Sequence, residues 1–284
     1  MDALSFCFTI DADWIPGSQV GLVRLYEFCE RLQLKPSVFA AGRFAEAYPD
    51  LVREAHVKRF DVGTHGWEHG QDPAEDFRSG TYDQQRRWMQ LATEAVEKAS
   101  GIRPTAFRAP NLSVGETTFR VLRELDYRLD SSVPARRFDF GYGQVRNPRY
   151  FRAPLAPYYP SPHNLADEGD SPILEVPPSA FFLPLNMSSM RVLGLPAVKW
   201  AVRRIAKRTS ILVLYVHPVE FEVAEAQSIP ASTPARFHSG LGPQNLDLVE
   251  RFAEYVQSLG YRPALLSQVA ATHSPIAQAG SDTA

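Results

Sequence analysis

Short apolar runs alternate with longer amphipathic segments along most of the chain, and this alternation constrains the fold more than any other feature. Runs rich in β-branched and aromatic residues predict strands at 4–10, 37–41, 60–63, 105–108, 127–131, 173–177, 211–217 and 263–266. Segments with helical periodicity predict helices at 18–32, 43–58, 82–100, 115–125, 196–207 and 244–259. Several runs are too continuously apolar for half-exposed strands, which is typical of strands buried on both faces. The sequence therefore predicts parallel strands joined by helices, as a barrel or a doubly wound sheet.

Length and composition fit one large globular domain. The chain has 284 residues, of which 44% are hydrophobic and 22% charged, and α/β barrels of about 250 residues commonly form one domain. We expect a single domain over residues 1–273 and a flexible, polar tail over 274–284. Periodicity is also lost between 132 and 170, where turn-forming residues cluster, and long irregular segments of this kind are usually functional or disordered.

Charge and the N-terminal sequence limit the partners and the location. The net charge is −2, so no basic field attracts phosphate backbones and nucleic acid is not an expected partner. The acidic Asp2, the absence of a basic N-terminal region and the lack of about 18 consecutive apolar residues predict a cytoplasmic protein.

The predicted helix at 196–207 has an apolar stripe and many basic residues. The stripe comprises Val198, Ala201, Val202 and Ile205, and the basic residues are Lys199, Arg203, Arg204, Lys207 and Arg208. Such a helix either rests on the inner face of an anionic membrane, which would imply a lipid-linked substrate, or packs its stripe on the sheet. The second interpretation is favoured because packing on a sheet requires this stripe.

The strongest chemical signal is the sequence T-H-G-W-E-H at 64–69, directly after a predicted strand. His65 and His69 are four positions apart, so on a helical turn both imidazoles would lie on one face and converge on one metal ion. An accidental spacing is the alternative, since the chain has seven histidines.

Two acids follow the first predicted strand. Because side chains alternate along a strand, Asp11 and Asp13 would lie on the same face and close together. Two neighbouring carboxylates repel each other unless a cation lies between them or one is protonated, so a metal explains the pair. The alternative interpretation is a solvated turn or a helix cap.

Together with three further motifs, these segments resemble the NodB-like polysaccharide deacetylase family, also called carbohydrate esterase family four. The motifs are F-T-I-D-A-D at 8–13, T-H-G-W-E-H at 64–69, F-R-A-P-N at 107–111, D-S-S at 130–132 and L-Y-V-H-P at 214–218. The resemblance covers about residues 5–218 and implies a distorted (β/α) barrel, often with seven strands. It also implies that Asp13, His65 and His69 bind one divalent ion.

The resemblance assigns roles to the remaining motif residues. It implies that Asp11 is the general base and that Arg108 orients it, although a surface ion pair is the alternative for Arg108. It implies that His217 is the general acid, with Asp130 holding its imidazole. A histidine suits this step because its unperturbed pKa of about 6.5 lies near working pH.

The sequence departs from the common family pattern at two motifs, of which the second has Gly66 and Trp67 where the common form has serine or threonine after the first histidine. Ala12 separates the two acids, as in a subgroup that includes lipid-linked sugar deformylases, intracellular peptidoglycan deacetylase-like enzymes and exopolysaccharide proteins. Trp14 and Trp67 adjoin the expected ligands, where an indole stacks on a sugar ring or fills the barrel mouth. Together with Pro110 and Asn111 they are candidate substrate-binding residues.

These observations predict a metal-dependent hydrolase that removes an acetyl or formyl group from an N-acylated amino sugar in a glycan precursor, a glycolipid or a sugar-containing metabolite. Zinc is the first expectation, although Mn²⁺, Fe²⁺, Co²⁺ or Ni²⁺ also suit two imidazoles and a carboxylate. Two alternatives are an allantoinase-like amide hydrolase with a non-sugar substrate and a non-catalytic glycan- or lipid-binding module.

Overall fold

A computed structural model of the chain describes residues 3–69, 75–137, 139–141, 144–146, 148–223 and 240–273. The strands in chain order are β1 Ser5–Ala12, β2 Ser37–Ala40, β3 Asp61–Thr64, β4 Ala106–Phe107, β5 Leu129–Asp130, β6 Asp139–Gly141, β7 Gln144–Arg146, β8 Pro160–Ser161, β9 Asn164–Glu168, β10 Leu174–Glu175, β11 Ala180–Phe181, β12 Leu183–Pro184, β13 Ile211–Val216 and β14 Arg262–Pro263. The helices are α1 Ser18–Arg31, α2 Gly42–Ala47, α3 Pro49–Val57, α4 Tyr82–Ser100, α5 Glu116–Glu124, α6 Met187–Ile205, α7 Asn245–Ser258 and α8 Leu266–Thr272. Short 3-10 helices span Pro110–Leu112, Pro148–Arg152 and Pro218–Phe221.

One parallel sheet organises the molecule and confirms the predicted barrel. Its strands follow the order β10-β5-β4-β3-β2-β1-β13, and β14 pairs with the start of β1. This path of seven strands curls into a half-barrel surrounded by helices. The segment after β10 covers the remaining edge, because Ser179 N–H donates to Val213 O (3.1 Å) and Tyr215 N–H donates to Leu185 O (3.3 Å).

The two faces of β1 explain where the site forms. Phe6, Phe8 and Ile10 are buried in the main core, which also contains residues of α1, α2, α6 and α7. Thr9 and Asp11 alternate with them and bond to groups inside the barrel. Because all strands of the sheet are parallel, their carboxyl ends meet at one rim, and the acids after β1 lie there.

Three predicted elements differ from the structure. The single helix expected at 43–58 is interrupted at Tyr48 (φ −130°, ψ 55°), because Pro49 disfavours the helical conformation of the residue before it. The helix expected at 196–207 belongs to a longer segment that begins at Met187 and bends at Gly194 (φ 77°). Part of the predicted strand at 263–266 forms the start of α8.

The irregular segment at 132–170 contains two described hairpins, β6–β7 and β8–β9. The predicted tail at 274–284 lies outside the described residues. No helix in the described ranges is long and apolar enough to cross a membrane.

The apolar stripe of α6 is used inside the protein. Val198, Ala201, Val202 and Ile205 are all buried in the main core, whereas Arg203, Arg204, Lys207 and Arg208 are exposed. The structure therefore favours the interpretation of this helix as an outer helix of the barrel.

Candidate metal centre and active site

The structure brings Asp13, His65 and His69 together at the rim of the sheet. Oδ1 of Asp13 lies 3.3 Å from Nε2 of His65 and 3.7 Å from Nε2 of His69. The candidate ligand atoms lie within 4.8 Å of one another. Within the described part of the chain, neither Asp13 Oδ1 nor His65 Nε2 has a hydrogen-bond partner, although both are buried. Buried polar atoms without partners are rare in proteins, and these converge on one point, as metal ligands do.

The tautomer of His65 suits metal binding. Its Nδ1 lies 2.9 Å from the carbonyl oxygen of Arg108, and a carbonyl only accepts, so Nδ1–H must donate. Nε2 is therefore the atom directed at Asp13, and such a second hydrogen bond commonly orients histidine ligands.

The surroundings keep Asp13 ionised and His69 neutral, the states that bind a cation, but favour the protonated form of His65. Burial raises the pKa of Asp13, but the nearby imidazoles, chiefly that of His69, outweigh it and lower this pKa to about 2. Burial lowers the pKa of His69 to about 4, so its ring is neutral at working pH. Burial also opposes the charged form of His65, but the charges of Asp11 and Asp13 outweigh it and raise its pKa. One carboxylate and two imidazoles are a donor set that fits Zn²⁺ and other divalent transition metals.

The histidine pair lies in a turn and not on the helical turn expected from its spacing. Gly66 adopts a positive φ of 71°, and a Cβ there would lie 2.7 Å from both Glu75 and Pro110. The N–H groups of Gly42 and Arg43, at the start of α2, donate to the carbonyls of Gly66 and Trp67. The carboxylate of Glu75 accepts from Trp67 N–H (2.5 Å) and Glu68 N–H (2.8 Å). These bonds fix the turn that directs both imidazoles toward Asp13.

Arg108 binds Asp11 as the resemblance implied. Nη1 of Arg108 donates to Asp11 Oδ1 at 2.9 Å, and both side chains are buried. The guanidinium also donates to Ser131 O (2.9 Å), Ser131 Oγ (2.7 Å) and Thr9 Oγ1 (2.5 Å). Arg108 therefore links β1 to the segment after β5, and the alternative of a surface ion pair is excluded.

His217 meets a different acid from the one expected. It follows β13, whose register with β1 pairs Val216 with Ile10, so His217 and Asp11 leave the sheet at the same rim. Its Nδ1 lies 3.3 Å from Oε2 of Glu220. The bond to Glu220, with the charges of Asp13 and Asp11, outweighs burial and raises the pKa of His217 to about 10. The structure does not place Asp130 as its partner.

Asp130 instead lies beside a second buried acid. The sheet register pairs Asp130 with Glu175, and both are fully buried. Burial raises the pKa of Asp130, and burial together with the charge and the hydrogen bond of Asp130 raises the pKa of Glu175 further, so the two share a proton. Asp130 Oδ1 accepts from Ser132 Oγ (2.6 Å), which in turn accepts from Ala109 N–H (2.8 Å). The pair thus supports the backbone of Ala109, through Ser132, and of Ser132 and Val133 directly.

The candidate substrate-binding residues occupy the surroundings of this centre. Trp14 is half-buried and donates its backbone N–H to the carbonyl of His69 (3.1 Å). Trp67 packs on the start of α2, and the guanidinium of Arg43 lies 5.2 Å from its ring centre. Pro110 is buried against Gly66, and Asn111 is exposed with a positive φ of 54°. These positions leave both interpretations of the tryptophans open.

Two protein families match successive parts of the chain. Residues 5–129 match the polysaccharide deacetylase family, and residues 131–264 match a domain of unknown function, DUF3473. No curated protein matches the sequence significantly.

Three solved structures share the fold. One is a putative polysaccharide deacetylase from Mycobacterium smegmatis, with 17% identity and a TM-score of 0.64 over 94% of this chain and 88% of that one. PuuE allantoinase has 16% identity and a TM-score of 0.61 over 96% and 91% of the two chains. A pseudoenzyme of carbohydrate esterase family four from Bacillus anthracis has 11% identity and a TM-score of 0.56 over 95% and 66%.

Residues 5–129 of the chain are thus similar to the polysaccharide deacetylase family. The allantoinase and the pseudoenzyme share the fold, so the fold alone does not determine the substrate.

Proposed function

We propose that this chain is a metal-dependent hydrolase that removes an acetyl or formyl group from an N-acylated amino sugar in a glycan precursor, glycolipid or sugar-containing metabolite. The observation that carries the proposal is the convergence of Asp13, His65 and His69, with two buried atoms lacking partners, beside an Arg108-bound Asp11. Zinc is the proposed ion because two imidazoles and one carboxylate leave coordination positions open for catalysis.

The side chains of the site divide the chemistry between them. When bound by Asp13, His65 and His69, a divalent ion supplies Lewis-acid polarisation of the amide carbonyl. Asp11, held by Arg108, accepts a proton from the water that attacks the carbonyl carbon. His217 donates a proton to the nitrogen as the C–N bond breaks. The products are a carboxylate and the free amine of the sugar.

The sugar itself is proposed from the family and from the aromatic residues beside the centre. Trp14 and Trp67 offer indole rings for stacking on the apolar face of a pyranose. A lipid-linked substrate, peripheral membrane contact and a cytoplasmic location remain predictions from the sequence. The buried stripe of α6 adds no support to membrane contact.

The first experiment measures metal per chain after dialysis against a metal-free buffer, for the wild type and His65→Ala. His163→Ala, at an exposed position, is the matched control. We expect about one ion per chain in the wild type and the control and none in His65→Ala. No ion in the wild type after addition of zinc, manganese and cobalt would overturn the proposal.

The second experiment measures acetate or formate released from N-acetylated and N-formylated amino sugars by the metal-loaded protein. Release by the wild type and not by His65→Ala supports the proposed function. Hydrolysis of a ureide but of no sugar would favour the allantoinase-like alternative. A bound ion without hydrolysis of any probe would favour the non-catalytic module.

A further inference from the structure

The turn after β13 folds an acid back onto His217. Residues Pro218–Phe221 form a 3-10 helix, and in this turn Oε2 of Glu220 accepts from His217 N–H at 2.9 Å. The same oxygen lies 3.3 Å from Nδ1 of the imidazole. Because an ionised carboxylate only accepts hydrogen bonds, Nδ1–H donates to it. Nε2 is then the nitrogen left to face the substrate.

The other oxygen of Glu220 is held by α6. Oε1 accepts from Nη2 of Arg191 at 3.1 Å and from Ser188 Oγ at 3.3 Å. The side chains of Arg191 and Glu220 are only 5% and 6% exposed. Burial opposes the ionised form of Glu220, but the hydrogen bond and charge of His217, together with the charge of Arg191, outweigh it and lower the pKa of Glu220.

The backbone of Glu220 is fixed independently of its side chain. Its carbonyl accepts from Gly242 N–H (3.1 Å) and from Nδ2 of Asn245 (2.7 Å), at the start of α7. The turn is therefore held by hydrogen bonds that do not involve the carboxylate of Glu220. Replacing this carboxylate should leave the turn in place. Asp130, the partner expected from the sequence, bonds to Ser132 instead.

We propose that Glu220, clamped by Arg191 and Ser188, is the positioning residue of His217: it holds Nδ1–H so that Nε2 faces the nitrogen of the scissile amide. This inference rests on the proposed function of His217 as the general acid.

The test replaces Glu220 with glutamine, which has nearly the same shape. The guanidinium of Arg191 only donates hydrogen bonds, so the amide oxygen of the glutamine should face Arg191. The amide NH₂ then faces His217 and cannot accept a hydrogen bond from Nδ1–H. Glu222→Gln is the matched control, because Glu222 lies two residues further on and pairs with Arg24. The readouts are metal content, kcat and KM for an N-acetylglucosamine oligomer across pH, and the imidazole N–H signals of His217 by NMR in the metal-free protein.

We expect Glu220→Gln to lower kcat by about 10- to 100-fold, less than the full contribution of about 10²- to 10⁴-fold from general acid–base catalysis, because His217 itself is retained. KM and metal content should stay near wild type, the alkaline limb of the kcat profile should move to lower pH, and the Nδ1–H signal should disappear. Glu222→Gln should change none of these. An unchanged kcat and pH profile, or loss of metal, would overturn the inference.

The NMR readout separates this inference from the proposed function. The wild type could hydrolyse no probe and still show an Nδ1–H signal that Glu220→Gln removes. This result would overturn the proposed hydrolase function and support the contact between Glu220 and His217. A signal that persists in Glu220→Gln would overturn the positioning role even if the enzyme is active.

Discussion

Asp11 and Asp13 are two positions apart but meet different groups, and their neighbours separate their roles. Asp13 Oδ1 faces two imidazoles, whereas Asp11 Oδ1 accepts from the guanidinium of Arg108. A carboxylate bound to arginine keeps its charge and its orientation, which suits a base that must accept a proton at a defined place.

Replacing Asp11 with asparagine should therefore remove turnover and leave the metal bound. We expect kcat to fall by about 10²- to 10⁴-fold, with about one ion per chain retained. Asp13→Asn is the comparison and should lose the ion. Metal analysis and steady-state kinetics on the same samples check both, and joint loss of metal and activity in Asp11→Asn would make Asp11 a structural residue.

The raised pKa of His217 predicts how the stability of the metal-free protein depends on pH. This pKa rises from 6.5 to about 10 on folding, so the charged imidazole stabilises the folded state fully below pH 6.5. The contribution is lost as pH rises through about 10. The wild type should therefore have a larger unfolding free energy than His217→Asn. This difference should be larger at pH 6 than at pH 10 by on the order of a few kcal/mol. Urea unfolding at several pH values measures the difference, and a flat difference would contradict the prediction.

The sequence indicated most residues of the site but not the partner of His217. The motifs lie at strand ends, and parallel strands bring their carboxyl ends together, so grouping Asp11, His65 and Arg108 needed no tertiary information. Glu220 lies in an irregular turn, where no periodicity marks a functional side chain. The one available signal was that Glu220 lies three positions after His217. An acid at this spacing can accept a hydrogen bond from the backbone N–H of the residue that begins the turn.

At the scale of elements, helix α2 begins close to the turn at 65–69, which carries the candidate ligands His65 and His69. The first residue of α2 therefore has no room for a side chain. A Cβ on Gly42 would lie 2.3 Å from Cε3 of Trp67 and 2.9 Å from Cα of Ala92. Trp67 lies between the two histidine ligands in sequence. The packing of α2 therefore fixes the turn that carries the ligands.

Gly42→Ala should displace Trp67 and weaken both the fold and the metal site. Overpacking of this kind costs about 1–3 kcal/mol, and metal affinity should fall because the turn moves. Gly115→Ala is the control, since the nearest atom to its Cβ would be 3.7 Å away, an ordinary contact. Thermal unfolding and zinc competition with a chelator measure both effects; full zinc affinity in Gly42→Ala would refute the coupling.

The strands were easier to predict than the segments between them. Each predicted apolar run has a counterpart in the main sheet, because strands buried on both faces are apolar throughout. The break at Tyr48 was missed, since helical periodicity continues across it, and the helical residues that precede the bend at Gly194 were not predicted. Local backbone restrictions, from Pro49 and from a positive φ, decided those boundaries.

At the scale of the whole molecule, the sheet crosses the border between the two matched regions. β1, in the first region, pairs along six residues with β13 of the second, and β5 pairs with β10. The candidate ligands come from the first region and His217 from the second. We propose that residues 3–273 form one catalytic domain, because neither region buries the sheet or completes the site alone.

This proposal predicts that residues 1–130 do not fold by themselves. The fragment would expose the edge of β1 and lose the buried Leu212, Leu214 and Val216, which belong to the same core as Phe6, Phe8 and Ile10. An exposed apolar edge strand promotes aggregation. We expect no cooperative thermal transition and poorly dispersed amide signals for this fragment. Co-expression with residues 131–284 should restore both and also zinc binding, because β13 then pairs with β1 again. A fragment 1–130 that unfolds cooperatively and binds zinc alone would instead show that the chain has two domains and that the metal centre needs only the first.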